Sequence, residues 1–224
     1  LKFEWQKESE RKWDGMAKSW NSRSREMWES GSRKDIVPFF MKYVKPGSQV
    51  ADLGCGDGYG SFKLHQLGYL VTGVDVSEEM IAYARGRLGE EGPRFIKADI
   101  AKTDFAAESF DAMIAINSLE WTEAPIKAIE EMYRITKSGG QAVIGILGPT
   151  SAPREHSYAR LHGEKVVCNT MMPWEFEKLA AECGWKKKAE TGVYKQAAEN
   201  LPHGAMPLEL KQAVSFMWVF LLQK

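Results

Sequence analysis

The chain has 224 residues, 44% of them hydrophobic and 11% aromatic, enough to fill one sizeable core. Lys plus Arg is 30 and Asp plus Glu is 30, a formal net charge of zero, without the basic excess that nucleic-acid backbones demand of their partners. Cys55, Cys168 and Cys183 show neither CxxC nor metal spacing, which predicts reduced thiols and no metal site.

Residues 1–46 are helical in character, rich in Lys, Glu, Arg and Ser, with tryptophan at 5, 13, 20 and 28. The opening is charged rather than apolar, so no leader core is expected there. From Ser48 short β-type runs alternate with amphipathic helices. A run at 49–53 precedes a helix at 59–67, one at 70–75 precedes a helix at 78–88, and a third lies at 94–99. A run at 110–117 then precedes a helix at 125–136, and another lies at 141–147. Strands alternating with helices predict βαβ units and a parallel sheet covered on both faces.

Local signals support these boundaries. Ser77 caps the helix after it, with Glu78 and Glu79 complementing the positive helix start. Thr122 and Pro125 sit in an opening turn, and Gly139-Gly140 follow a basic helix end. Residues 148–171 lack periodicity and cluster Pro149, Pro153, His156, His162 and Gly163, as a lid-like insertion does. Pro173 opens a helix whose Phe176, Leu179, Ala180 and Cys183 fall on one face before Gly184 stops it. Two β-type runs, 188–194 and 214–222, close the chain around a Pro/Gly-containing segment with no helix, which suggests an antiparallel pair. The longest apolar stretch, 216–222, falls far below the ~20 residues of a membrane helix and reads as a buried strand.

The informative segment is Val50-Ala51-Asp52-Leu53-Gly54-Cys55-Gly56-Asp57-Gly58-Tyr59-Gly60-Ser61. A strand enters a glycine-rich turn that enters a helix, the geometry of a nucleotide site at the carboxyl end of a first strand. The dinucleotide pattern GxGxxG fails in both frames, because Tyr59 and Ser61 stand where it needs small residues. Asp52 and Asp57 in and beside the loop would repel a pyrophosphate. A cationic nucleoside such as S-adenosylmethionine, with its sulfonium and ammonium, suits them better. Asp75 ends the second strand, about 20 residues on, where an acid accepts from both ribose hydroxyls. Asp99 ends the third and can accept from an exocyclic adenine amine.

These motifs resemble the class I S-adenosylmethionine-dependent methyltransferases, in particular the small-molecule, type 11-like branch that includes quinone-biosynthesis-like enzymes. Asp52 to Gly58 looks like the first motif, Gly73 to Met80 like the second, and Ala98-Asp99-Ile100 like the third. Residues 110–117, Leu119-Glu120-Trp121-Thr122 and 129–146 resemble the fourth strand, the loop after it, and the helix, Gly-Gly turn and fifth strand. The resemblance implies a seven-stranded, mostly parallel Rossmann-like sheet with an antiparallel last strand, in a single domain.

By the same resemblance, Gly54, Gly56 and Gly58, within the loop of Asp52, Cys55 and Asp57, would approach the methionine and ribose. Asp75 would hold the ribose, Val76 and Met80 would pack on adenine, and Asp99 and Ile100 would meet its edge. Asn117 would line the site beside the sulfonium, and Trp20 would close over the methionine end. The fourth strand ends in Asn117-Ser118-Leu119-Glu120, unlike the Asn-Pro-Pro-Tyr of amino-group methylation on bases. A small-molecule acceptor is therefore expected, in a cytoplasmic monomer or homodimer with no nucleic acid, membrane or metal. His156, His162, His203 and Glu120 fall where they could face the acceptor, but ordinary histidines occupy such loops too, and no catalytic residue is assigned. A nicotinamide-dependent oxidoreductase and a non-catalytic cofactor-binding module remain as other readings of the same fold.

Overall fold

In the computed structural model, which describes residues 3–87 and 92–224, seven strands form one sheet. They are β1 (Gln49–Leu53), β2 (Leu70–Asp75), β3 (Arg94–Lys97), β4 (Phe110–Ile116), β5 (Thr136–Leu147), β6 (Lys186–Tyr194) and β7 (Ser215–Gln223). The helices are α1 (Trp5–Glu29), α2 (Ile36–Met41), α3 (Tyr59–Gln66), α4 (Glu78–Gly86), α5 (Pro125–Ile135), α6 (Pro173–Glu182) and α7 (Leu208–Val214). The order across the sheet is β3-β2-β1-β4-β5-β7-β6. The first five strands pair in parallel, and β7 runs antiparallel to both β5 and β6. This is the doubly wound sheet, with the antiparallel last strand, that the strand–helix alternation and the motifs predict.

Alternation along β4 shows why the sheet needs helices on both faces. Met113 and Ala115 join a core with Ala128, Ile129 and Met132 of α5 and Phe176 of α6. Ala112, Ile114 and Ile116 join the opposite core, with Ile36, Val37 and Phe40 of α2 and Leu64 of α3. A strand buried on both sides reads as a continuous apolar run, which is how residues 110–117 read.

Several boundaries differ in detail. The β5 strand begins at Thr136 rather than 141, since Thr136 already pairs with Phe110 across a bulge. A short helix, α7, stands between the last two strands where none was expected. It has seven residues and only Gln212 buried, too little for an apolar period to register. Ser77 does cap α4, accepting from the Met80 amide at 3.1 Å. The expected end of that helix at Leu88 lies outside the described residues.

Helix α1 crosses the carboxyl ends of the parallel strands and is tied down along its length. Lys97 donates to Glu10, Ser77 Oγ donates to Asp14 at 2.5 Å, Arg87 donates to Asn21 at 3.0 Å, and Ser24 Oγ donates to Asp57 at 2.6 Å. The Trp5 indole N–H donates to the Trp121 carbonyl at 2.7 Å. Residues 148–171, expected as a lid, form an excursion whose two ends are clasped by one side chain. The Arg154 guanidinium donates to the carbonyls of Leu147, Gly148, Thr170 and Met171. No helix of the described residues is long and apolar enough to cross a membrane.

Candidate active site

The winding direction reverses between β1 and β4, so the loops leaving these neighbours diverge and open a crevice at the strand ends. A cavity of about 270 Å³ lies there. Each parallel strand from β1 to β4 contributes to its lining: Gly54 and Gly56 after β1, Asp75 and Val76 at β2, Asp99 and Ile100 after β3, Asn117 and Ser118 after β4. Met80 and Trp20 complete the set of sequence-predicted residues that the fold brings together here.

The first loop is shaped by its glycines. Gly54 has φ +78, and a Cβ placed on it would lie 2.3 Å from that of Ser118, so only glycine lets the β1 and β4 loops approach. The Asp75 carboxylate is held by the backbone: one oxygen accepts from the Gly56 amide at 2.8 Å and the other from the Ser77 amide at 3.0 Å. Burial pushes its pKa up, and these amide donors oppose the rise. Each carboxylate oxygen keeps a further acceptor site, and the side chain borders the cavity. Asp99 is oriented in the same way, by the Ala101 amide at 2.8 Å.

Four predicted residues have other work and do not line the cavity. Asp52 turns away and accepts from Ser61 Oγ at 2.6 Å; burial raises its pKa to about 6. Asp57 is engaged by Ser24 and by Arg87 at 2.6 Å, linking the loop to α1 and to the end of α4. Cys55 packs against the cluster of Ile81, Ala84 and Phe95. Gly58 is needed because a Cβ there would meet Phe95 at 2.7 Å, a packing role. The loop acids therefore bear on how the loop is built, and the sequence-predicted acids that line the cavity are Asp75 and Asp99.

Sequence reasoning missed a second group of lining residues. Trp5, Ser9 and Trp13 of α1, with Arg33 and Trp121, join Trp20 around the cavity. Trp13 meets Trp20 and Trp121 edge-on, at centroid distances of 5.7 and 5.1 Å. A signal was present: tryptophans at 5, 13 and 20 recur at intervals of two helical turns and so share one face. Arg33 carries no such signal. Its guanidinium is buried and stacks over Trp20 at 4.8 Å. Burial lowers its pKa to about 10, while Asp52, Asp57 and Glu120 act on it through space without hydrogen bonding to it.

The acceptor-side candidates fall elsewhere. His156 lies edge-on to Trp121 at 5.7 Å, His162 against Tyr158 at 5.5 Å, and His203 is stacked on Tyr194 at 3.8 Å; none of the three lines the cavity. Glu120 is fully buried and accepts from the Leu147 amide at 2.6 Å, fixing the turn after β4 to the end of β5. Burial raises its pKa, and its second oxygen has no hydrogen-bond partner among the described residues.

The family profile described as "Methyltransferase domain" matches residues 51–144, the stretch that carries all four strand-end loops of the cavity. Over residues 51–144 the chain carries a methyltransferase domain of the class I S-adenosylmethionine-dependent type. This methyltransferase domain is 34% identical over 118 residues to a malonyl-[acyl-carrier protein] O-methyltransferase from Pectobacterium atrosepticum, covering 52% of this chain and 46% of that one. It is 27% identical to a ubiquinone biosynthesis O-methyltransferase from Pseudomonas aeruginosa, covering 70% of this chain and 68% of that one. The chain thus spans about half the length of the malonyl relatives it matches. Among solved structures it is similar to a methyltransferase in complex with the Trm112 activator from Haloferax volcanii, with a TM-score of 0.73, 18% identity and 96% of both chains covered. That likeness concerns the fold.

Proposed function

We propose that this chain binds S-adenosylmethionine in the cavity at the β1–β4 switch point and transfers its methyl group to a small molecule. The observation that carries this reading is Asp75, whose carboxylate is locked by two backbone amides yet keeps acceptor sites toward the cavity. A vicinal diol is the natural partner of such a carboxylate, as a ribose provides. The other lining residues fit the same molecule. Met80 and Ile100 offer apolar flanks for a purine, Asp99 an acceptor for its amine, and Arg33, which has no hydrogen-bonded acid among the described residues, a buried guanidinium for a carboxylate. Asp99 and Asp75 would disfavour the second phosphate charge of a dinucleotide in the same place.

When bound, S-adenosylmethionine supplies a methyl group already activated on a sulfonium, so the reaction needs alignment more than acid–base assistance. The chain's contribution is positional. Gly54 and Gly56 let the ligand approach the backbone, Asn117 is fixed by the turn after β4, and α1 shuts water from one side of the cavity. The name of the ubiquinone biosynthesis O-methyltransferase relative supports a small acceptor.

Calorimetric titration with S-adenosylhomocysteine tests the reading. Wild-type protein should bind, and Asp75→Ala should weaken binding about 100-fold, the ~3 kcal/mol expected for losing two hydrogen bonds to a charged group. Binding that Asp75→Ala leaves unchanged would overturn the assignment.

A further inference from the structure

The tryptophan wall goes beyond what a cofactor site requires. Trp13 stands between Trp20 and Trp121 and touches both edge-on, giving a continuous run of three indoles along the cavity. Their neighbours fix them in place. The Trp121 indole N–H donates to the Asn117 carbonyl at 2.7 Å, and Trp5 spends its own N–H on the Trp121 carbonyl. Two of the four indole donors are thus consumed inside the protein, and what those rings can present to the cavity is π surface.

Such a wall suits either a flat arene or a cation held by aromatic faces, and the charges decide between them. Arg33 already lies over Trp20 at 4.8 Å, and Lys12 lies over Trp121 at 5.4 Å. Two rings of the wall therefore carry a cation of the chain itself, and an ammonium acceptor would meet both positive charges. Lys127 adds a third positive charge at the rim; the exposed Glu123 is the carboxylate there, and Glu130 holds the Lys127 ammonium at 2.8 Å. Asp75 and Asp99, the acids deeper in the cavity, are assigned above to the ribose and adenine, so at the indole end the positive charges favour a neutral or anionic body, and the aromatic wall favours a flat one. Ser9, buried on α1 and bordering the cavity, offers a hydroxyl for one polar substituent.

We propose that the methyl acceptor is a planar arene bearing an oxygen substituent, received against the wall that Trp13 and Trp121 form. The proposal rests on the methyl-transfer reading above and names the substrate class for the same cavity. For an arene hydroxyl the step balances simply. The oxygen lone pair forms the new bond to the methyl carbon, the electron pair of the breaking C–S bond stays on sulfur, and the hydroxyl proton leaves to solvent.

The test uses the full chain and two readouts. Binding of 2-naphthol is followed by quenching of tryptophan fluorescence, with and without S-adenosylhomocysteine. Methyl transfer from S-adenosylmethionine is measured for catechol and 2-naphthol against putrescine, n-octylamine and octanoate. The expected result is turnover confined to the arenes. Trp13→Ala should weaken 2-naphthol binding at least ten-fold while changing S-adenosylhomocysteine affinity less than three-fold, and Trp13→Phe, which keeps a ring, should restore most of the loss. Methylation of an amine or of octanoate in preference to the arenes would overturn the proposal. So would 2-naphthol affinity unmoved by Trp13→Ala. Failure of S-adenosylhomocysteine to bind the wild type would instead strike the cofactor reading, and because naphthol binding is measured without it as well, the two failures are distinguishable.

Discussion

The residues that the sheet contributes to the cavity and those that α1 contributes are held by different means. Asp75 and Asp99 stand at strand ends, each oriented by a backbone amide two residues on, and Asp75 also by the Gly56 amide of the neighbouring β1 loop. Their geometry follows from the local chain, so a motif in the sequence is enough to locate them. Trp5, Trp13 and Trp20 depend on a helix that reaches the cavity only through long-range ties, from Glu10, Asp14 and Ser24 to partners more than 30 residues away. Local geometry makes the first group legible and portable between proteins. The second group can change with a single helix, which is how one fold serves many acceptors.

Substitutions that act on one group and not the other sharpen this contrast. The largest effect is expected from Gly54→Val. A side chain there meets Ser118 and needs a left-handed backbone, so the β1 and β4 loops must part. S-adenosylhomocysteine affinity should fall more than 100-fold by calorimetry; a change under three-fold would break the account of the loop.

A smaller effect, at most ~3 kcal/mol by linkage, concerns Asp52. Its pKa in the folded chain is about 6, above the ordinary ~3.9 of an unfolded chain. Between these values the folded state holds the extra proton, so this group's contribution to stability is greatest below pH 4, declines as pH rises to 6, and is flat beyond. Asp52→Asn should flatten that part of the stability profile in thermal melts from pH 4 to 7, and change S-adenosylhomocysteine affinity less than three-fold. A large loss of affinity would return Asp52 to the binding surface. The smallest effect is expected from Ser24→Ala, which removes one of the two side chains that engage Asp57 and should cost about 1 kcal/mol in urea unfolding.

The same contrast explains what the sequence could and could not tell. The alternating, mostly parallel sheet is legible because strand alternation and glycine turns are local features, and so are the positions of Asp75 and Asp99, which the fold brings to the cavity. The charges of Asp52 and Asp57 suit a cationic ligand, but no sequence feature shows that Ser61, Ser24 and Arg87 engage them. Arg33 was invisible because its role comes from burial beside Trp20, a contact between α1 and the segment before α2. Trp5 and Trp13 were within reach, since their spacing marks one helix face, but nothing in the sequence says which surface that face meets. Glu120 follows the fourth strand, where it could face the acceptor, and the structure spends it on the Leu147 amide.

The most direct test of the central claim is a crystal structure of the chain with S-adenosylhomocysteine. The account predicts ribose hydroxyls on Asp75, the adenine beside Asp99 and Ile100, and the sulfur facing the indoles of Trp13 and Trp121. A nucleoside bound with its ribose away from Asp75, or with its sulfur turned from the tryptophans, would contradict it.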